Sequence, residues 1–75
     1  MTARDYIRKA LLRTIWPQSA AQVLGRNAGA ARAALGAELR AMVADGTVRQ
    51  SAEHHAGAVI QVFRLHVSDI TEYGR

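Results

Sequence analysis

The side chains with the most chemical capacity in this chain are its histidines and arginines. His54 and His55 are adjacent, Glu53 precedes them, and His66 follows further along. Adjacent histidines in an extended segment point to opposite sides, and no zinc-type ligand spacing is present. Ser, His and Asp all occur, but without a nucleophile elbow or a phosphate-binding loop. We therefore expect no catalytic residue, no metal site and no cofactor, and we interpret His54 and His55 as polar residues of a loop.

The charge balance of the chain is basic, with ten Lys+Arg against six Asp+Glu and a net charge of +4. Nine of the ten positive residues are arginines, whose guanidinium groups fit phosphate oxygens and base edges. This composition indicates either a nucleic-acid partner or only the arginine- and alanine-rich codon usage of a GC-rich genome. The absence of cysteine fits the cytoplasm, and no apolar run approaches the ~18 residues that a membrane span needs.

Seventy-five residues allow one domain with a thin core, since much of the apolar content is alanine. A helix is predicted over residues 3–14, with Thr2 as its N-cap. Trp16-Pro17 should end it, and we expect Trp16 to cap the core. Ser19 and Gln22 form a capping-box pattern that starts a second helix, which should reach about Arg26.

A third helix is predicted over residues 30–44, after a turn at Asn27-Ala28-Gly29. Its apolar stripe is expected to contain Ala31, Leu35, Leu39, Met42 and Val43. The Asp45-Gly46 pair should form the turn that follows this helix.

Two strands are predicted, over residues 47–51 and 59–67, with a polar loop at 52–58 between them. In the second strand one face carries Val59, Phe63 and Leu65, yet Ile60 and Val62 make the opposite face apolar as well. One core covers only one face, so we predict that Ile60 and Val62 lie in an intermolecular contact. The alternative is that Ile70 and Tyr73 of a short polar tail, residues 68–75, fold back over that face.

The order of these elements resembles a winged helix-turn-helix domain, an α+β fold of three helices followed by a two-stranded wing. The residues that carry the resemblance lie between Ser19 and Val67, and they are Val23, Gly29, the stripe Leu35, Leu39 and Met42, and the step Asp45-Gly46-Thr47-Val48. The resemblance implies a domain over residues 1–67 and a possible short first strand near Trp16-Pro17.

The same resemblance implies a function, a small DNA-binding transcription regulator whose third helix enters the major groove. In it Arg32 would read base edges with help from Asn27, Arg26 and Arg40 would hold phosphates, and Arg49, His54, His55 and Arg64 would line the wing. So sparse a reading surface implies a homodimer on double-stranded DNA. The alternative function is a winged-helix module that binds a protein partner and inhibits or recruits it.

Overall fold

The computed structural model describes residues 2–66, which form an α+β fold of three helices and a three-stranded antiparallel sheet. In chain order the elements are α1 (Ala3–Leu12), β1 (Gln18–Ser19), α2 (Ala20–Leu24), α3 (Gly29–Ala44), β2 (Val48–His55) and β3 (Ala58–Leu65). The strands lie in the order β1-β3-β2. None of the helices in this part of the chain is long and apolar enough to cross a membrane. The predicted domain boundary at residue 67 and the predicted tail lie outside the described residues.

The first helix begins with a capping box, in which the Thr2 hydroxyl accepts from the Asp5 amide and the Asp5 carboxylate accepts from the Thr2 amide. It ends at Leu12, two residues earlier than predicted. Gln18, a buried polar residue of β1, donates from Nε2 to the carbonyl oxygen of Ala10 at 2.8 Å. This bond satisfies a carbonyl near the helix end and fixes β1 beside it.

The core lies where α1 and α3 pack on the sheet and on α2. Its buried members are contributed by all three helices and by β2 and β3: Ile7, Ala10, Leu11, Val23, Leu24, Leu35, Leu39, Met42, Val48, Phe63 and Leu65. The predicted stripe of Leu35, Leu39 and Met42 is confirmed, whereas Ala31 is exposed and Val43 is only half-buried.

The connection between α2 and α3 is longer than predicted, because α2 ends at Leu24 rather than near Arg26. It comprises residues 25–28, and α3 begins at Gly29. Gly25 takes a positive φ of 59°, and a Cβ there would lie 3.3 Å from the Tyr6 hydroxyl oxygen. The Asn27 amide donates to that hydroxyl and to the Leu24 carbonyl, both at 2.8 Å. Glycine is therefore needed at position 25 for its backbone conformation and for the close approach of Tyr6.

A polar network joins α1 to the far end of α3. The Arg4 guanidinium donates to Glu38 at 2.9 Å and to Asp45 at 2.7 Å, and the Thr47 amide donates to the other Asp45 carboxylate oxygen at 2.9 Å. Hydrogen bonds from Thr47, together with the Arg4 guanidinium, lower the pKa of Asp45 to about 2. The same carboxylates raise the pKa of Arg4. This network holds the C-terminal end of α3 against α1 and orients the turn that leads into β2.

The β2–β3 hairpin is longer than the predicted strands, and the predicted polar loop at 52–58 is wrong. Eight residue pairs run from Val48↔Leu65 to His55↔Ala58, so the loop is only Ala56-Gly57. Both loop residues have positive φ, 51° and 81°, as a type I′ turn requires. Polar residues fit this edge strand because most of its side chains face water.

Two further predictions are wrong. Trp16 does not cap the core, because 72% of its surface is exposed. Val62 is only 4% exposed, so its side chain is enclosed within the chain and is not available for an intermolecular contact. The reason is its position in the central strand, where it pairs with both Ser19 of β1 and Ser51 of β2. Ile60, nearer the hairpin turn, remains partly exposed.

Candidate nucleic-acid interface

The outward side of α3 is covered by small side chains. This side, which we call the alanine face, consists of the exposed residues Ala30, Ala33, Ala34, Ala37, Arg40, Ala41 and Ala44; Gly29 and Ala31 are exposed as well. Glu38, the one acidic residue of this helix, pairs with Arg4 instead. The alanine face therefore offers one guanidinium and several methyl groups to a partner, and it allows the helix backbone to approach that partner closely.

Arg32 does not lie on the alanine face, which corrects the prediction that it is exposed for base reading. It is half-buried, and its Nη1 donates to the carbonyl oxygen of Asn27 at 3.3 Å and lies 3.5 Å from that of Gly25. Positions 32, 35, 39 and 42 recur at helical spacing, so Arg32 belongs to the side of α3 that carries Leu35 and Leu39. In this position it supports the α2–α3 connection.

Asn27 is likewise occupied within the chain. Both of its amide hydrogen bonds go to groups of the helical layer, the Tyr6 hydroxyl and the Leu24 carbonyl. Both N–H donors of its side chain are thus used within the chain, and the role of Asn27 in reading bases stays a prediction. Sequence reasoning missed Tyr6, which links α1 to this connection. Its helical spacing with Ala3 and Ala10 could have indicated that it faces the core.

Arg26 and Arg40 are both exposed, and they lie near opposite ends of α3. Arg26 lies three residues before α3, while Arg40 is in its last third. The first turn of α3 has no acidic residue, and its N-cap, Ala28, makes no side-chain hydrogen bond to it. The backbone N–H groups at the start of this helix thus carry an uncompensated partial positive charge beside Arg26.

The hairpin residues predicted to bind DNA fall into two separate groups. Arg49 and Arg64 are direct partners across β2 and β3 near the base of the hairpin, while His54 and His55 lie next to its turn. Six residues of extended strand separate Arg49 from the turn, which is roughly 20 Å. All four residues lie on the hairpin, but at its two opposite ends, and their contact with DNA stays a prediction.

Each group has its own surroundings. Arg64 borders a groove at the end of α1, formed with Leu12, Arg13 and Ile15. His55 lies 3.1 Å from the Glu53 carboxylate, and His54 is exposed opposite Val59. Within residues 2–66, no three His, Asp or Glu residues come close enough to hold a metal ion.

Exposed apolar side chains form a feature that sequence reasoning missed. Ile15 is 88% exposed and Trp16 is 72% exposed, and both lie in the connection between α1 and β1. Ile15 follows Leu11 at helical spacing, which predicted that it shares the buried face of α1. Because α1 ends at Leu12, Ile15 lies outside the helix and is not on that face. Val59 and Ile60 are also exposed near the hairpin turn, on opposite faces of β3.

No protein-family model matches this chain, and neither a curated protein nor a solved structure matches it.

Proposed function

We propose that this chain is a winged helix-turn-helix domain that binds duplex DNA as a small transcription regulator. The element order α1-β1-α2-α3-β2-β3 and the strand order β1-β3-β2 support this assignment of the fold. In such a domain α3 is the helix that enters the major groove, and the β2–β3 hairpin is the wing.

The observation that carries the proposal is the alanine face, with Arg26 preceding it in the chain and Arg40 within it near its C-terminal end. A helix with small side chains approaches the floor of the major groove closely, and its guanidinium groups then reach the phosphates on either side. The uncapped N-terminal turn of α3 favours a phosphate at the Arg26 end. The result is a binding mode in which phosphate contacts supply most of the affinity and base contacts supply little.

Such a mode implies weak binding by one chain, because few side chains discriminate between bases. A homodimer on two half-sites would double the contacts and provide the specificity of a regulator. Ile60, exposed beside Val59, is the candidate residue for that contact, and His54 and His55 lie on the same hairpin for contact with the DNA backbone.

The experiment is a salt titration of DNA binding, measured by fluorescence anisotropy of labelled duplexes of random and genomic sequence. Arg26→Ala and Arg40→Ala should each lower the slope of log K against log salt by about 1, the value for one lost phosphate contact. Arg13→Ala removes the same charge from the end of α1 and is the matched control, which should leave the slope unchanged. Equal slopes for all three variants, or no binding at low salt, would contradict the proposal.

A second candidate function is a protein-binding module, and the exposure of Ile15 and Trp16 favours it. Aromatic and aliphatic side chains exposed side by side are typical of protein contact sites, in which Trp often contributes strongly. A partner-binding role would be lost on replacing Ile15 and Trp16 with Ser, a change that leaves the alanine face and its arginines intact. DNA binding that survives this double change while partner binding disappears would assign separate surfaces to the two functions.

A further inference from the structure

The groove at the end of α1 is a site of a different kind from the DNA-binding surface. Its apolar lining comes from Leu11, Leu12, Ile15 and Leu65, and the exposed guanidinium groups of Arg13 and Arg64 border it. Its volume of about 470 Å³ exceeds that of any single side chain. Apolar walls beside two cations favour an occupant that combines apolar side chains with carboxylates.

A second copy of residues 2–66 fits this groove poorly on electrostatic grounds. That part of the chain has nine Lys+Arg against four Asp+Glu. A symmetric contact through the groove would bring Arg13 and Arg64 of two chains together, and like charges at close range oppose association. The occupant must therefore supply negative charge.

We propose that the groove is the docking site of the chain's own C-terminal segment, residues 67–75. In this segment Asp69 and Glu72 each precede an apolar residue, Ile70 and Tyr73 respectively. Ile70 and Tyr73 enter the apolar lining, while the two carboxylates pair with Arg13 and Arg64. The segment has two carboxylates against one guanidinium, that of Arg75, and so supplies both apolar side chains and net negative charge.

The path of the chain brings the segment to the groove. Leu65 is itself part of the lining, and the next residue, His66, donates its backbone N–H to the Thr47 carbonyl at 2.9 Å. The segment therefore starts at the edge of the groove. Ile70 follows Leu65 by five residues, which in extended form reach at most about 18 Å. A short tether of this kind gives an effective concentration in the millimolar range, so weak contacts suffice for docking.

The proposal is independent of DNA binding, and its test uses the full chain without DNA. The sequence has no cysteine, so Gly74→Cys provides a unique position for a nitroxide spin label. In ¹⁵N–¹H spectra, the amides of Leu12, Arg13 and Ile15 should lose most of their intensity with the label oxidised and regain it on reduction. The amides of Ala56 and Gly57 at the hairpin turn should keep their intensity, and their chemical shifts report that the fold is intact.

A tether alone would also bring the label near the groove, so side-chain variants must separate docking from mere proximity. Adding Ile70→Ser and Tyr73→Ser should restore most of the lost intensity, as should the charge reversals Asp69→Lys and Glu72→Lys. Val59→Ser removes an exposed apolar side chain from the hairpin and is the matched control, which should keep the full loss. Unchanged losses in the tail variants would overturn the proposal.

The remaining outcome is that the segment docks on another chain. It is tested by mixing two chains. One carries the spin label and has natural isotope abundance, and the other is enriched in ¹⁵N and carries no spin label. Intensity loss at Leu12 to Ile15 in the mixture would show exchange between two copies and would overturn docking within one chain. The proposal is supported if intensity stays intact in the mixture but is lost in a ¹⁵N-enriched chain that carries its own spin label.

Discussion

The outward side of α3 and the connection between α1 and β1 differ in almost every respect. The alanine face belongs to the longest helix and carries one long side chain, Arg40. The α1–β1 connection has no regular structure over most of its length, yet it exposes Ile15 and Trp16. Within the fold, α3 therefore contributes to stability chiefly through its buried side, whereas the connection leaves two large apolar side chains in water. Three predictions test this contrast.

The largest effect is expected on the buried side of α3. Leu39 is 3% exposed and belongs to the core cluster, so Leu39→Ala should lower the free energy of unfolding by about 2–5 kcal/mol. For a domain of this size the melting temperature should fall by at least about 8 °C. Thermal unfolding followed by circular dichroism measures both quantities.

The matched control for Leu39→Ala lies two residues earlier on the same helix. Ala37→Ser changes an exposed residue of the alanine face and should alter the free energy of unfolding by no more than about 0.5 kcal/mol. Similar losses for the two variants would show that both sides of α3 are packed, and the contrast would fail.

The buried side of α3 was predictable from the sequence because helical spacing and burial agree there. Leu35, Leu39 and Met42 recur at intervals of four and three, and the helix ends one residue before Asp45, the position that the Asp-Gly turn indicated. The capping boxes at Thr2 and Ser19 were also visible, since each depends on residues only three positions apart. Local patterns of this kind require no knowledge of the tertiary structure.

The exposed and long-range features were not predictable in the same way. Trp16 is a large apolar side chain, but whether it is buried depends on where the Gln18 contact with Ala10 places β1. Val62 is enclosed only because β1 and β2 pair on both sides of β3. Arg32 is the exception, since its helical phase with Leu35 and Leu39 already indicated the buried side of α3.

The second prediction concerns the network that orients the buried side of α3. Asp45 has a pKa of about 2, below its usual 3.8, so its ionised form stabilises the fold above pH 4. That contribution should be lost as the pH falls from about 4 towards 2, because the unfolded chain takes up a proton first. Asp45→Asn should be less stable than the parent at neutral pH and should lose less stability over this acid range.

Urea unfolding at a series of pH values measures this difference. Thr47→Val removes a hydroxyl from the same network and should shift the acid response in the same direction, but by less, since the Thr47 backbone N–H still donates to Asp45. Parallel stability curves for Asp45→Asn and the parent between pH 5 and pH 2 would contradict the role of this carboxylate.

The smallest effect on stability is expected in the α1–β1 connection, and it decides the contrast. A buried Trp replaced by Ala costs about 3–5 kcal/mol, because the change removes apolar contacts and leaves a cavity. Trp16 has most of its surface in water, so Trp16→Ala should change the free energy of unfolding by no more than about 0.5 kcal/mol. Urea unfolding followed by far-ultraviolet circular dichroism is the appropriate measurement, since the only Trp of the chain is lost. A cost near that of Leu39→Ala would mean that Trp16 is packed within the chain. The exposed apolar pair would then disappear as an interaction surface, and the two regions would no longer differ as described.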